Sequence, residues 1–331
     1  MREQAPSGTP SAADPIRVGT RASMLARTQT GWVVRRLERL GLSVVVETIS
    51  TTADVRADVP VAALGGDGVF VRELERSLVA GRIDLAVHSL KDMPTEPTPG
   101  LEVACVPRRA MPFDVLVARD AATLETLPAG AVVGTSSIRR ITQVRRVRGD
   151  LVVRAVRGNV DTRLRKLDAG EFDCLVLAGA GLERLGLAHR ISQVLRPDTF
   201  WPAVSQGALG LQIRSADARL RGLIEPLDDP ATHDAVRAER SLLATLAGGC
   251  LAPIAAWARH AEGRLHLGAC VLEDAGDRID RVVAHAAAVE GNAATAAHPA
   301  PEALGRRVAE DLLGQGAAAM IDRGRGTGRS G

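Results

Sequence analysis

Over residues 16–202, short apolar runs alternate with longer segments whose apolar residues recur at helical spacing. IRVGT predicts a strand, and MLARTQTGWVVRRLERLG predicts a helix that buries one face, formed by Leu25, Trp32, Val33, Leu37 and Leu40. SVVVETIS then predicts a strand, VFVRELERSLVAG a helix and IDLAVHSL another strand. Strands that alternate with helices in this way are typical of a doubly wound α/β domain.

The same alternation starts again at about Phe113. FDVLVA, AVVGTSS, LVVRAV and CLVLAGAG predict strands, and helices are expected from Ile138, Val160 and Leu182. From about Pro230 the pattern changes to a helix, ATHDAVRAERSLLATLAGG, then strands such as RLHLGACVLE and a closing helix within HPAPEALGRRVAEDLLGQG. The chain therefore predicts two α/β units followed by a smaller α+β unit.

The composition argues against several classes of partner. Only 2% of the 331 residues are aromatic, no tyrosine is present, and the formal net charge is +3. Single-strand binders stack bases on aromatic side chains and duplex binders are strongly basic, so we expect no nucleic-acid partner. No uninterrupted apolar stretch is long enough for a membrane span, so we expect no membrane partner.

The N-terminal segment and the cysteines indicate the compartment. MREQAPSGTPSAADP lacks the apolar core of a signal peptide, so residues 1–15 are expected to form a disordered tail. The four cysteines show neither zinc-site nor redox-motif spacing: Cys105, Cys174, Cys250 and Cys270. We therefore expect a cytoplasmic protein with free thiols.

Polar residues at three predicted strand ends are candidates for an anion-binding site, because ligands of open α/β sheets bind beyond the carboxyl ends of strands. VGTRAS, VGTSSIRR and VRAVRGNVDTR place these residues there: Thr20, Arg21, Ser23, Thr135, Ser136, Ser137, Arg139, Arg140, Arg157 and Arg163. Helix capping with a solvated arginine explains any one end, whereas three together favour an anionic ligand. Only two of the 42 basic residues are lysines, which reflects either genomic base composition or a need for bidentate guanidinium groups.

HSLKDMP ends a predicted strand with a charged pair. Asp92 follows Lys91, one of the two lysines, and precedes Met-Pro, which ends the element. An exposed Lys-Asp turn explains this pattern, and so does a carboxylate that transfers protons among arginines. The histidines show no metal-ligand spacing, so we expect no metal site.

GGCLAP places Cys250 behind two glycines at the end of a predicted helix. The bare backbone leaves room for a bulky adduct on the sulfur atom. The alternative is an unreactive thiol on a loop, because the sequence shows no Cys-His-Asp arrangement that would activate a nucleophile.

Eight motifs, taken together and in this order, resemble the porphobilinogen deaminase family: VGTRAS, GGDGVFVRELE, DLAVHSLKDMPTE, VGTSSIRR, VRGNVDTRL, LAGAGLERLG, PAVSQGALG and GGCLAP. The resemblance implies two doubly wound, periplasmic-binding-protein-like α/β domains around a cleft, plus a smaller C-terminal α+β domain that carries the cofactor cysteine. It implies a first domain over 16–107 and about 203–226, a second over 112–202, a third over 230–322, and a disordered tail over 323–331.

The resemblance implies a transferase with a covalent cofactor. The family binds dipyrromethane by a thioether to a loop cysteine, which Cys250 matches, and uses it as a primer. Four porphobilinogen units are added to this primer with loss of ammonia, and hydrolysis then releases hydroxymethylbilane for tetrapyrrole and haem biosynthesis. Asp92 matches the catalytic carboxylate of the family, no metal is needed, and we expect a monomer.

The resemblance also gives the arginines a role. Each pyrrole carries an acetate and a propionate, so the growing chain is a polyanion suited to guanidinium groups. The cofactor would be held by Lys91, Ser137, Arg139 and Arg140, and the carboxylates of the growing chain by Arg21, Ser23, Thr135, Arg157, Arg163, Arg184 and Gln206. The chain departs from the family at Asp67, where a lysine is usual, and at Phe113, where an arginine is expected.

Two other functions are compatible with parts of this pattern. Two α/β lobes around an arginine-lined cleft also suit a solute-binding module for anions. A regulatory protein that has lost catalysis is a further alternative, against which the presence of Asp92 and Cys250 argues.

Overall fold

Three sheets organise the part of the chain that the structure, a computed structural model, describes. The described residues are 14–49, 68, 71–247, 252–274, 276, 279–289 and 301–327. Cys250, Asp67 and most of the predicted N-terminal tail lie outside them. Within these ranges, no helix is both long enough and apolar enough to cross a membrane.

The first sheet is formed by β1 (Ile16–Arg21), β2 (Val44–Ile49), β3 (Leu85–Ser89), β4 (Leu101–Cys105) and β10 (Leu209–Arg214). Its strand order is β2-β1-β3-β10-β4, with β2, β1 and β3 parallel and β10 antiparallel to its neighbours. Its helices are α1 (Met24–Arg39), α2 (Arg72–Val79) and α6 (Ala218–Ile224). Parallel strands end at the same edge of a sheet, so Arg21 and Ser89 lie at one edge.

The second sheet repeats this plan with β5 (Asp114–Ala118), β6 (Val132–Gly134), β7 (Val152–Arg154), β8 (Cys174–Ala178) and β9 (Gln193–Leu195) in the order β7-β6-β8-β5-β9. Its helices are α3 (Ile138–Val147), α4 (Val160–Asp168) and α5 (Gly179–Arg184). Strand β10 of the first sheet is reached from the second sheet, and strand β5 of the second sheet is reached from the first. The chain therefore passes between the two sheets twice, over 106–113 and 196–208.

The third sheet is an antiparallel meander of β11 (Ile254–Ala261), β12 (Arg264–Asp274) and β13 (Ile279–Val289). It is accompanied by α7 (Pro230–Thr245), α8 (Pro301–Gly314) and α9 (Ala317–Thr327). Leu242 of α7 and Val308 of α8 are fully buried in one core with Leu267 of β12. The predicted fold class, two α/β units and a smaller α+β unit, is confirmed; the exact domain limits stay a prediction.

Several details of the elements differ from the sequence prediction. Strands β4, β9 and β10 were not predicted: β9 spans only 3 residues, and LEVAC and LGLQIR, which form β4 and β10, were not assigned as strands. Helix α5 begins at Gly179, three residues before the predicted start at Leu182. The described part of the predicted C-terminal tail, up to Thr327, is helical in α9. Arg323 in this helix donates to Glu273 at 2.8 Å, so the tail prediction is wrong for residues 323–327.

The buried face of α1 is more polar than predicted. Leu40 caps the helix and is 44% exposed, so its place on the buried face is wrong. Gln29 and Thr30 are buried instead, where Gln29 Nε2 donates to Ser89 Oγ at 2.9 Å and Thr30 Oγ1 donates to Thr20 Oγ1 at 2.8 Å. Both partners lie at strand ends, so α1 uses polar contacts to fix the edge of the sheet.

Candidate active site

A cleft lies between the two α/β sheets, next to the carboxyl end of β3 in the first sheet and that of β8 in the second. The first sheet and its helices contribute Leu25, Gln29, Ser89 and Lys91, the second contributes Arg140, Val160, Arg163, Leu177, Ala178, Ala180, Gly181 and Arg184, and the second crossover contributes Gly207 and Ala208. Four of these side chains are cationic, so the structure brings together four of the predicted site residues: Lys91, Arg140, Arg163 and Arg184.

Arg163 and Arg184 donate to backbone carbonyl groups and not to carboxylates of the described residues. Arg163 Nε donates to the Gly158 carbonyl at 2.8 Å and Arg184 Nη2 to the Gly207 carbonyl at 2.7 Å, and no carboxylate among the described residues forms a salt bridge with either. Burial lowers the pKa of both guanidinium groups to about 10, and for Arg163 the positive charge of Arg140 adds to the effect. Both residues are partly buried, and a partly buried guanidinium without a paired carboxylate is costly, so an anion bound in the cleft would stabilise them.

Lys91 lies on the first sheet's side of this cleft. Burial lowers its pKa to about 8, and the positive charges of Arg140 and Arg139 act in the same direction against the opposing carboxylates of Asp92 and Asp114. The ammonium group therefore loses its proton more easily than an exposed lysine, unless a bound anion stabilises it.

Asp92 is held on a rigid turn at the end of β3. Leu90–Asp92 form a short 3₁₀ turn, in which the Leu90 N–H donates to the Ala208 carbonyl at 3.1 Å. Arg240 of α7 donates from Nη1 to the Met93 carbonyl at 3.2 Å, just after the turn. The half-buried carboxylate of Asp92 receives no hydrogen bond from any described residue. It is therefore positioned by backbone contacts and free to interact with a ligand.

Asp114, which the sequence analysis missed, organises the wall behind the cleft. Its fully buried carboxylate accepts from Arg139 Nη1 and Arg140 Nη2, each at 2.7 Å, and from Gln206 Nε2 at 3.1 Å. Burial alone would raise the pKa of Asp114, but the two guanidinium groups outweigh it and hold the pKa well below its usual range. The only signal in the sequence was an acidic residue at the start of an apolar strand.

This network changes the picture of two predicted ligand-binding residues. Arg139 is buried, and its Nη1 also donates to the Trp201 carbonyl at 2.5 Å, so its described contacts lie in the protein interior. Gln206 is 1% exposed and donates to the Pro112 carbonyl at 2.8 Å as well as to Asp114. Of the network, only Arg140 lines the cleft within the described residues.

The other predicted residues lie around helix starts and strand ends. Ser23 caps α1, and its Oγ accepts from the Ala26 N–H at 3.3 Å. Ser137 caps α3, and its N–H donates to the buried Thr135 Oγ1 at 3.3 Å. Arg21 ends β1, and Arg157 lies close enough to lower the pKa of Arg163. Side-chain capping therefore accounts for Ser23, whereas the side chain of Ser137 makes no capping hydrogen bond.

Gly207 joins the cleft to the two crossovers. Its φ is +87°, and a Cβ atom there would lie 2.5 Å from the Ala110 carbonyl oxygen of the first crossover. The Gly207 carbonyl accepts from Arg184 Nη2 at 2.7 Å and from the Ala110 N–H at 3.1 Å. Only glycine allows both the conformation and this close approach.

Gly207→Ala is therefore expected to lower the free energy of unfolding by about 2 kcal/mol more than the matched variant Gly41→Ala. Gly41 has a similar φ of +78°, but no atom lies within 4 Å of the added Cβ. Urea unfolding of both variants would measure the difference. Equal losses of unfolding free energy in the two variants would show that the added Cβ atom at residue 207 does not disturb the contact between the two crossovers.

Comparisons with known proteins assign the family. The model of "Porphobilinogen deaminase, dipyromethane cofactor binding domain" matches residues 16–222, and that of "Porphobilinogen deaminase, C-terminal domain" matches residues 234–314. Porphobilinogen deaminase of Syntrophobacter fumaroxidans is 44% identical over 310 residues, 93% of this chain and 97% of that protein. That of Syntrophotalea carbinolica is 47% identical over 305 residues, 91% and 93% of the two chains.

Solved structures were also matched. The periplasmic substrate-binding protein of an ABC transporter from Coxiella burnetii is 17% identical, with a TM-score of 0.42 over 66% of this chain and 94% of its own. A likeness at that level carries no argument about function. The two family models and the relatives span most of the sequence, and the chain therefore belongs to the porphobilinogen deaminase family.

Proposed function

We propose that this chain condenses four porphobilinogen units head to tail onto a dipyrromethane primer on Cys250, with loss of ammonia, and then releases hydroxymethylbilane by hydrolysis. The observation that carries the proposal is the cleft itself, which Lys91, Arg140, Arg163 and Arg184 line. The half-buried carboxylate of Asp92 lies close enough to act electrostatically on Lys91 and Arg140. Substrate, cofactor and product of this reaction all carry several carboxylates, which suit such a cleft.

The residues of the cleft fit the family's dipyrromethane cofactor. Its acetate and propionate groups need cationic partners, and Arg163 and Arg184 form no salt bridge with a carboxylate of the described residues. Lys91 and Arg140 would hold the cofactor on the cleft walls, with Ser137 and Arg139 in support. When bound to Cys250, the cofactor supplies the nucleophilic pyrrole carbon to which substrate is added.

Asp92 is the proposed proton-transfer group. As ammonia leaves porphobilinogen, positive charge develops on the pyrrole, and a fixed carboxylate beside it stabilises that charge without reorganisation. The same carboxylate then accepts the proton that the ring must lose to become aromatic again. The turn at Leu90–Asp92 fixes its position, because α7 holds the backbone just beyond it.

The substrate and the growing chain would be held mainly by Arg163 and Arg184, with Arg21 and Arg157 as further cations. Ser23 and Thr135 would act next to these arginines. Gln206 would act through Asp114, since its side-chain amide donates to that carboxylate rather than into the cleft. These roles support binding of carboxylates at several positions along an elongating chain.

We also expect a cytoplasmic monomer without nucleic-acid or membrane partners. The low net charge and the small aromatic content support the absence of nucleic acid. Size-exclusion chromatography with light scattering would measure the oligomeric state, and a dimer mass would contradict this part of the proposal.

The intact mass of the purified protein, compared with that of Cys250→Ser, tests the proposed function. An excess mass of two pyrrole units that disappears in the variant is expected. If both masses are unmodified, porphobilinogen is added and the masses are measured again; increments of single pyrrole units are then expected for wild type only. An unchanged wild-type mass would overturn the proposal and favour the solute-binding alternative.

The KM for porphobilinogen is expected to rise about tenfold as the pH passes about 8, because Lys91 loses its charge there and the cleft that receives the carboxylates of both cofactor and substrate loses one of its four cations. Lys91→Arg stays charged and should flatten this rise. Lys166→Arg, which replaces the other lysine, is the control and should keep the wild-type profile. Steady-state rates between about pH 7 and pH 9.5 would measure it, and superimposable profiles of all three proteins would contradict the role of Lys91.

A further inference from the structure

A second groove, of about 510 Å³, lies between the second and third sheets, away from the cleft. Phe113 and Trp201 line it from the two crossovers, and Trp257, Arg259, Arg281 and His285 line it from β11 and β13. None of the residues that line this groove also lines the cleft. It therefore needs its own explanation.

The groove concentrates the few aromatic residues of the chain. The sequence has 3 tryptophans and 4 phenylalanines, and two of the tryptophans and Phe113 lie here. Phe113 and Trp257 meet edge to face with ring centroids 5.1 Å apart, and the Arg259 guanidinium carbon lies 4.5 Å from the Trp257 ring centroid. Half-buried, mutually braced rings of this kind form a flat apolar wall suited to a planar ligand.

The same groove is strongly cationic. Arg196, Arg259 and Arg281 line it, and no salt bridge joins any of them to a carboxylate of the described residues. Among the described residues, the lining includes one acidic side chain, that of Asp198. Burial lowers the pKa of His285, and the positive charges of Arg259 and Arg281 lower it further. Three guanidinium groups thus face one shared space with a single negative charge beside them.

The floor of the groove requires a glycine. A Cβ atom on Gly268 would lie 2.5 Å from the Trp201 ring and 2.6 Å from His285 Nδ1. Trp201 and His285 therefore pack over bare backbone of β12, with ring centroids 5.3 Å apart. The arrangement is a fitted aromatic platform and not a chance gap between domains.

We propose that this groove binds a small planar aromatic molecule that carries two or more carboxylates. The aromatic wall takes the ring, and the separated arginines pair with separated carboxylates. Phosphate is the poorer match, because the lining comes from strands and crossover segments and includes no helix N-terminus whose N–H groups would hold it. The proposal does not rest on the activity of the cleft.

The three tryptophans provide a direct test. Purified full-length protein, labelled with ¹⁵N in tryptophan, gives three indole N–H signals, which Trp32→Phe and Trp257→Phe assign. Naphthalene-2,6-dicarboxylate is the probe. Saturable shifts of the Trp201 and Trp257 signals are expected, while the Trp32 signal stays in place, because Trp32 lies on α1 against Arg36.

Arginine variants and two further compounds make the test specific. Arg259→Gln and Arg281→Gln should each weaken binding of the probe about tenfold, whereas Arg35→Gln on the exposed side of α1 should leave it unchanged. Trp201 packs over Gly268 and against His285 of the third sheet, so a dispersed Trp201 signal in the ligand-free variants shows that this sheet is folded. Cyclohexane-1,4-dicarboxylate, which lacks the flat ring, should bind at least about tenfold more weakly.

Three results would overturn the proposal. They are the absence of shifts at Trp201 and Trp257, equal affinity of wild type and Arg281→Gln, and equal binding of the non-planar dicarboxylate. ATP, which combines an aromatic ring with phosphates, is tested last, in competition with the naphthalene dicarboxylate probe. If it binds as tightly as the probe, the assignment of carboxylates is wrong.

Discussion

Asp92→Asn is expected to lower kcat for porphobilinogen by at least about 100-fold, the usual contribution of a positioned acid–base group. Asparagine keeps the size and shape of the side chain but neither accepts the proton nor offsets the positive charge on the pyrrole. The carboxylate of Asp92 receives no hydrogen bond from the described residues, so its replacement leaves no protein donor unpaired. The fold should therefore be unaffected, and the loss should appear in the rate.

Glu96→Gln is the matched control for this variant. Glu96 lies four residues further along and is exposed, so its loss of charge should leave kcat unchanged. Single-turnover measurements with each protein would show whether the chemical step or substrate binding is affected. Asp92→Asn with a wild-type rate would refute the catalytic role of Asp92, and a loss in Glu96→Gln of similar size would point to a general electrostatic effect.

The strands were predictable where a continuous apolar run in the sequence identified them. Apolar strands such as β3 and β8 are buried on both faces, so their sequences are continuous apolar runs that stand out. Edge strand β9 has three residues and no such run, so it could not be found. The buried Gln29 was also missed, since its partner Ser89 comes 60 positions later in the chain. Only the folded sheet shows why a polar residue belongs there.

The site was predictable as a set of cations but not as a network. The motifs placed Arg139, Arg140 and Gln206 among the ligand-binding residues. The structure shows that all three converge on Asp114, whose role depends on contacts across 25, 26 and 92 positions. Sequence spacing at such distances carries no information about pairing. Arg163 and Arg184 line the cleft. Arg163 lies in the first turn of a helix, where ligands of α/β sheets bind, whereas Arg184 ends its helix and was named only through the family resemblance.

Asp114→Asn is expected to lower the free energy of unfolding by about 3–5 kcal/mol, because it leaves the buried guanidinium groups of Arg139 and Arg140 without their counter-charge. Asp168→Asn is the control: Asp168 pairs with Arg190 at 2.6 Å on the surface, and its loss should cost less than about 1 kcal/mol. Urea unfolding at neutral pH would measure both losses, and equal values would contradict the proposed role of the buried network.

The pH dependence of this loss distinguishes a charge effect from a packing effect. The pKa of Asp114 is depressed in the folded protein, so its contribution is complete above the usual value of 3.8 and is lost as the pH falls toward the folded value. The difference in free energy of unfolding between wild type and Asp114→Asn should therefore narrow as the pH falls below about 4. A difference that stays constant down to about pH 2 would mean that the substitution disturbs packing and that the carboxylate charge is not what holds Arg139 and Arg140.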